Sequence, residues 1–342
     1  MKILIVKLVA LGDIAMSLPM LNAITMNDSE SHITWLCGRT AASLLSATNK
    51  VQELVEIDES KLFGQGWARW LEFFRIWLRF AGKRYDSILI CHRDYRYRLL
   101  VSGARARRLV RFNHKGVHPS PIPGRYYGYE YVRLATASDG PQVSIYLSPA
   151  LTLPPMPRLD QALAAAPRPW VVLAPGGAKN ALRDQPLKRW PLNNYVRLAD
   201  ALLKQRYGVV VVGSHSDAWV LSAFSGLDIV NLIGQTNVLE LIYVFKSCNG
   251  FVTHDSGPMH LAGLVGAPIV ALFGPTDPAM FAPRNANIQA LKGLRELPCR
   301  PCYDGYSYRD CQNNLCMQDI SLPQVLDSVL KMLAAPVRAR HN

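Results

Sequence analysis

Acidic residues are scarce in this sequence: 25 aspartates and glutamates face 38 lysines and arginines, for a formal net charge of +13. Compositionally simple tracts and internal repeats are missing as well, which excludes disordered, collagen-like and solenoid architectures. Long uninterrupted apolar runs are also lacking. Lys7 and Asp13 break the first residues before they reach the length of an export signal, so the protein is expected in the cytoplasm. Ser256 to Thr276 is uncharged and about as long as a membrane span, but Gly257, Pro258, Gly263, Gly266, Pro268, Gly274 and Pro275 divide it into loop, helix, turn and buried strand. No G-x-G-x-x-G follows the first apolar run and no G-x-x-x-x-G-K-[ST] occurs anywhere, so both the dinucleotide fingerprint and the P-loop are absent. H-E-x-x-H and G-x-S-x-G are absent too, which weakens the usual hydrolase readings.

What is present is a chain of 342 residues that is 49 % hydrophobic, ample for a core and longer than one ordinary domain needs. Its positive charge is concentrated. Between Lys83 and Arg125 lie eleven basic residues, Arg93, Arg96 and Arg98 among them, against only Asp86 and Asp94. Such a field attracts phosphate on a lipid surface, a glycolipid or a nucleic acid, and its plain alternative is a solvated basic face. Upstream, Trp67, Trp70, Phe73, Phe74, Trp77 and Phe80 alternate with Arg69, Arg75 and Arg79. That mixture suits a helix lying in a membrane interface, with an aromatic core helix as the alternative.

Of seven cysteines, Cys37, Cys91 and Cys248 sit in apolar surroundings and read as packed thiols. The others form Cys299-x-x-Cys302, then Cys311 and Cys316. This spacing can close a four-thiolate shell around a structural zinc or iron ion, expected away from the chemistry. Disulfides and free loop thiols are the alternatives.

Aliphatic and β-branched runs at Met1–Lys7, Ile33–Cys37 and Ser87–Cys91 read as buried strands of a parallel sheet. A helix is expected over Ile14–Ala23, with Asp13 in the loop before it. Prolines at Pro119–Pro123, Pro154–Pro157, Pro167 and Pro169 supply turns and a boundary. Further strands are expected at Trp170–Ala174, Val209–Val212, Phe251–Thr253 and Pro268–Phe273. Helices are expected over Asn194–Gln205, over Val238–Lys246 capped by Asn237, and after a capping box at Ser321-x-x-Gln324. The architecture is α/β: residues 1–160 and 167–320 form two parallel-sheet domains facing a central cleft, and 321–342 a closing helix and tail.

Four motifs carry candidate chemistry. Asp13, beside Gly12, can accept a proton from a substrate hydroxyl or can cap a helix. In His254-Asp255-Ser256-Gly257-Pro258-Met259-His260, a strand end meets a helix start whose N–H groups would cradle an anion such as a diphosphate, unless Asp255 merely caps the helix. Lys188-Arg189-Trp190-Pro191 puts two cations before a rigid turn, and Phe273-Gly274-Pro275-Thr276-Asp277-Pro278 is a turn after a buried strand.

Together and in this order, with Gly12-Asp13-Ile14-Ala15-Met16-Ser17-Leu18-Pro19 and Pro175-Gly176, these motifs resemble glycosyltransferase family 9, the bacterial lipopolysaccharide heptosyltransferases, over essentially the whole chain. The resemblance implies a GT-B fold of two Rossmann-like domains with the C-terminal helix crossing back. It also implies inverting, metal-independent transfer of a sugar, typically from ADP-heptose, with no cofactor required for catalysis. The first domain would bind acceptor and the second the nucleotide sugar. By the same resemblance Asp13 is the general base, Lys188 lies near the donor phosphates, and Gly12, Pro175, Gly176, Asp255, Ser256, Gly257 and His260 bind donor. The family often has Ser or Thr where Leu8, Val9 and Ala10 stand, and Thr where Ser256 stands. Arg93, Arg96 and Arg98 would hold a phosphorylated glycolipid acceptor at the cytoplasmic face of the inner membrane, with no nucleic-acid partner. The rival readings are another sugar-nucleotide enzyme, such as a 2-epimerase, and a non-catalytic module binding anionic lipid or nucleotide.

Overall fold

The computed structural model describes residues 1–112, 122, 124–137, 147–179, 184–284, 287–303 and 307–335. Lys115, Pro119, Pro121, Pro123 and the tail 336–342 lie outside them. The chain divides into two compact units, Met1–Thr152 and a second that takes the described residues from Leu153 on.

In the first unit the short aliphatic runs become strands, and the stretches between them become the helices that connect one strand to the next. In chain order these are β1 (Lys2–Val6), α1 (Leu11–Ser17), α2 (Pro19–Asn27), β2 (His32–Gly38), α3 (Arg39–Ser46), β3 (Glu53–Ile57), α4 (Glu59–Leu62), α5 (Trp67–Phe80), β4 (Arg84–Ile90), α6 (Arg96–Leu100), β5 (Arg105–Arg111) and α7 (Tyr127–Thr136). The strands are all parallel, in the order β3-β2-β1-β4-β5. Crossovers in such a sheet put helices over its faces, which is why Ile3–Val6 of the central strand are all buried. The winding reverses at β1, which has β2 on one side and β4 on the other. Beyond the carboxyl ends of β1 and β4 lies the switch point where such sheets bind ligands.

Two expectations are corrected here. The helix over Ile14–Ala23 is two helices, because Pro19 lacks the N–H that would continue α1 and instead opens α2 at its first turn. Asp13 therefore lies in the first turn of α1 rather than in a loop, and its side chain caps nothing. Part of the basic segment is also a strand. β5 forms the sheet edge, with Arg105 and Arg107 exposed and Val110 buried.

The second unit contains α8 (Pro157–Leu163), β6 (Trp170–Ala174), α9 (Leu192–Lys204), β7 (Gly208–Val211), β8 (Val230–Asn231), α10 (Val238–Ser247), β9 (Gly250–His254), α11 (Gly257–Leu264), β10 (Ile269–Leu272), α12 (Pro278–Phe281), β11 (Ile288–Leu291), α13 (Leu315–Gln318) and α14 (Leu322–Ala334). Short 3₁₀ segments cover Pro186–Lys188 and His215–Phe224. Its parallel sheet runs β11-β10-β9-β6-β7-β8, so β6 occupies the place that β1 holds in the first unit and the switch point lies beyond β6 and β9.

Local signals explain the helices. Tyr195, Leu198, Ala199 and Leu202 are the buried face of α9, and Asn237 with Glu240 forms a reciprocal capping box on α10. Ser321 accepts the Gln324 N–H at 3.3 Å, but the Gln324 side chain donates to the Lys292 carbonyl, so the expected box at α14 is half made. Val325 and Val329 of α14 join the core formed with α9, β9 and β10.

Trp190 anchors that core. It is buried, meets Tyr195 edge-to-face at 5.0 Å and donates its indole N–H to the Ile320 carbonyl at 2.8 Å. Trp190→Ala is expected to lower the stability of this unit by about 3–5 kcal/mol through a cavity. Trp190→Phe should lower it by about 1–3 kcal/mol through the orphaned carbonyl. Urea unfolding followed by fluorescence and circular dichroism measures both.

Candidate functional site

In the first unit the chain leaves β1 at Lys7, turns sharply at Ala10 with φ 65°, and enters α1. That turn brings Asp13 back over the strand end, where the Lys7 ammonium meets its Oδ2 at 2.7 Å. Lys7 is 3 % exposed and Asp13 37 % exposed. The buried partner is thus the cation, and the carboxylate is the one that faces outward. Oδ1 takes no hydrogen bond from the described residues. The neighbouring strand end braces the loop. His92, just past β4, accepts the Leu8 N–H at its Nε2 (3.1 Å) and stacks on Tyr97 at 3.6 Å. Burial, and then the charge of Lys7, hold the His92 pKa well below the ordinary histidine value, so the ring is neutral with its proton on Nδ1.

Arg93 follows His92 at the same sheet edge. Arg96 is exposed and bound to Asp94 through Nε (2.8 Å) and Nη2 (2.6 Å), and Arg98 is exposed on α6. The three expected acceptor arginines therefore belong to one connection of the unit that carries Asp13.

In the second unit, Pro175-Gly176-Gly177 forms the turn after β6. Asp217, which the motifs did not indicate, organises it: Oδ1 accepts the Gly177 N–H at 2.7 Å, while Oδ2 accepts the Ser214 N–H and hydroxyl at 2.8 and 2.7 Å. A Cβ on Gly176 would stand 2.5 Å from that carboxylate, and Gly177 has φ 78°, so both positions require glycine. Arg189 clamps the same turn by donating from Nε and Nη2 to the Gly177 carbonyl at 3.0 and 2.9 Å.

Asp255 comes directly after β9 and is buried. Its Oδ2 lies 2.8 Å from Lys188 Nζ and its Oδ1 3.6 Å from His260 Nε2. Burial alone would raise its pKa, but Lys188 and His260 outweigh it and hold the carboxyl below the ordinary range. Here the exposures are reversed, with Asp255 at 3 % and Lys188 at 15 %. Ser256 is the N-cap residue of α11, with no side-chain hydrogen bond to the helix, and Asp255 does not cap it either. Lys188 also lies over the rings of Phe281 and Tyr303, at 6.0 and 5.9 Å. His260 Nδ1 and Thr276 Oγ1 are buried polar atoms with no partner among the described residues.

The cysteine segment, expected away from this chemistry, packs against it. The Pro275 carbonyl accepts the N–H groups of Cys302 and Tyr303 at 3.0 and 3.1 Å. A Cβ on Gly274 would stand 2.5 Å from Met317 Sδ and 2.9 Å from Cys316 Sγ, so only glycine admits that approach. The thiols of Cys299, Cys302, Cys311 and Cys316 are all free. Among the described residues, no three His, Cys, Asp or Glu side chains are grouped so as to hold a metal ion. Burial, reinforced by Cys302 and Cys311, pushes the Cys316 thiol up to about 11, the neutral form at ordinary pH.

The residues missed from sequence are Lys7, His92, Asp217 and Tyr303. Lys7 alone left a signal, a charge at the end of an otherwise apolar strand. The other three act from positions distant in sequence, Asp217 from a 3₁₀ segment.

Residues 148–310 match the model of glycosyltransferase family 9 (heptosyltransferase). The match covers a little under half of the chain, so it is the second half that resembles glycosyltransferase family 9. The lipooligosaccharide heptosyltransferase 2 of Haemophilus influenzae is 34 % identical over 155 residues, 40 % of this chain and 42 % of that protein. The matched segment thus spans about two fifths of the curated relative. Among solved structures, the family 9 glycosyl transferase of Veillonella parvula superposes with a TM-score of 0.77 at 19 % identity, covering 97 % of both chains. The ADP-heptose lipopolysaccharide heptosyltransferase II of Escherichia coli gives 0.71 at 22 % identity, covering 97 % of this chain and 98 % of that one. The fold is GT-B, two parallel-sheet α/β units.

Within the matched half, His254 carries a pH signature. It is fully buried beside the Tyr195 hydroxyl (3.3 Å), and burial lowers its pKa to about 3. The folded pKa lies below the unfolded value, so this contribution is complete above about pH 6.5. It is lost as pH falls toward 3, by about 2 kcal/mol between pH 6.5 and 5. Melting curves across that range should fall more steeply for the wild type than for His254→Asn.

Proposed function

We propose that the protein is an inverting heptosyltransferase. It moves heptose, or a similar sugar, from an ADP-sugar to the lipopolysaccharide core or a related phosphorylated glycolipid, in the cytoplasm at the inner membrane. The observation that carries this reading is the opposite exposure of the two lysine–aspartate pairs. In the first unit the accessible partner is a carboxylate, suited to take a proton. In the second it is a lysine, suited to meet an anion. The names of the relatives point to the same chemistry, and His260 Nδ1 and Thr276 Oγ1, unpartnered among the described residues, offer polar contacts to a donor beside Lys188.

In the proposed step Asp13 removes the proton of an acceptor hydroxyl, and that oxygen attacks the anomeric carbon opposite the nucleoside diphosphate. The glycosidic bond to phosphate breaks and configuration inverts. The diphosphate leaves with the bonding electrons, and its growing negative charge is met by Lys188 and by the N-terminus of α11 after Asp255. Lys188 takes the role a metal ion has in other glycosyl transfers. Gly12 and the turn Pro175-Gly176 admit donor backbone-close, and Arg93, Arg96 and Arg98 hold acceptor phosphate. A 2-epimerase would act on donor alone, with no use for those arginines.

Asp13→Asn should reduce kcat by about 10²–10⁴-fold while calorimetry shows unchanged binding of ADP-sugar. Lys188→Ala should reduce kcat by about 10²–10³-fold and weaken ADP binding as well. Wild-type turnover by Asp13→Asn would overturn the base assignment, and release of free sugar and nucleotide without acceptor would favour the epimerase.

A further inference from the structure

The helix α5 is apolar on two opposite sides. Its inward side is ordinary core: Ile76 and Phe80 are buried, and Phe73 packs against the same cluster. Trp67, Trp70, Leu71, Phe74 and Leu78 fall at i, i+3, i+4, i+7 and i+11, one stripe on the other side, and each is between 50 and 83 % exposed. Scattered exposed apolar residues need no explanation, but a contiguous stripe marks a contact surface. The helix α6 packs beside α5 and exposes Leu99, and Tyr95 just before it is exposed as well.

The exposed charges that α5 itself carries have one sign, with Arg75 paired to Glu72 and Arg79 to Glu53 at 2.8 Å, and Arg69 lying over the Trp70 ring. Glu72 is the only acid on α5, and it is buried, accepting from Arg75 and from the Asp58 N–H. The exposed ionic side chains of the helix are Arg69, Arg75 and Arg79, and α6 adds Arg98 together with Arg96, which is bound to Asp94. Tryptophan rings and arginines with apolar stems are the side chains that sit at the headgroup level of a bilayer. The helix has 14 residues and is about 21 Å long, shorter than the roughly 30 Å of hydrocarbon in a bilayer. It can lie along a membrane but not cross one, and among the described residues no helix is long and apolar enough to cross. A second copy of this chain is disfavoured as the occupant, because pairing the stripes would bring the same arginines together.

We propose that the outer face of α5, together with α6 beside it, is a docking surface for an anionic lipid bilayer. This deepens the reading of a membrane-held acceptor and rests on it for its purpose, though not for its test. The full chain is mixed with vesicles of phosphatidylethanolamine and phosphatidylglycerol, or of phosphatidylcholine alone, and floated on a density gradient. The wild type should float with the anionic vesicles, less so as salt rises, and hardly at all with the neutral ones. The double variant Trp70→Ser, Phe74→Ser should reduce the floated fraction about ten-fold. Leu71→Glu with Leu78→Glu, which leaves the aromatic stacking intact, should do the same with an unchanged melting curve. The proposal is overturned if the wild type does not float, or if Leu71→Glu with Leu78→Glu floats as the wild type does. It is equally overturned if sedimentation shows a dimer that this variant dissociates, since the face is then a self-association surface. Thermal shift with ADP-sugar on the same samples reports the transferase reading separately, because donor binding and flotation fail independently.

Discussion

A charge can be taken out of water only beside an opposite charge. In this chain that constraint shapes both candidate sites, as Lys7 with Asp13 and as Lys188 with Asp255. Each pair stands at the switch point of its sheet, Lys7 just past β1 and Asp255 just past β9. The pairs are chemically alike and oriented oppositely, so one presents an oxygen to the outside and the other a nitrogen. The surrounding features serve these pairs. His92 fixes the loop that carries Asp13, Asp217 and Arg189 fix the glycine turn of the second unit, and the rings of Phe281 and Tyr303 flank Lys188. Neutral His92 and His254 keep further positive charge out of both interiors.

The strands that are buried on both faces were legible from sequence, since a central parallel strand must be continuously apolar: Met1–Lys7, Trp170–Ala174 and Val209–Val212 are such runs. Edge strands were not. β3 reads Glu-Leu-Val-Glu-Ile and β5 Arg-Ala-Arg-Arg-Leu-Val-Arg, because an edge strand exposes alternate side chains to water and so resembles a charged loop. Asp13, Lys188 and the Asp255 loop were legible because each lies in a short motif at a strand end or turn. Asp217 and Tyr303 were not, since their importance comes from hydrogen bonds or ring contacts with residues 40 and 115 positions away, a relation that no local pattern encodes. Asp13 was misplaced by a few residues for a local reason: Pro19 moved the helix break, and Ala10 in a left-handed conformation started α1 earlier than a glycine-centred loop would suggest.

The cysteine segment gains a different meaning from its place in the fold. Its backbone, rather than its sulfur, makes the contact that matters to the site. Two consecutive N–H groups from Cys302 and Tyr303 converge on one carbonyl, Pro275, and hold the turn that follows β10. The same segment delivers the Tyr303 ring to Lys188. Cys316 packs against Gly274 as a neutral thiol, much as an aliphatic residue of its size would.

Each unit is built around its own hydrophobic cluster, one centred on Leu4, Val6 and Ile88 and the other on Val171, Trp190 and Val252. Cooperativity follows the boundaries of a core, so the two halves of the chain are free to melt as separate events. A single transition temperature would then average two different quantities. Damage to one half would register as one displaced step in a two-step denaturation curve, with the other step left where it was.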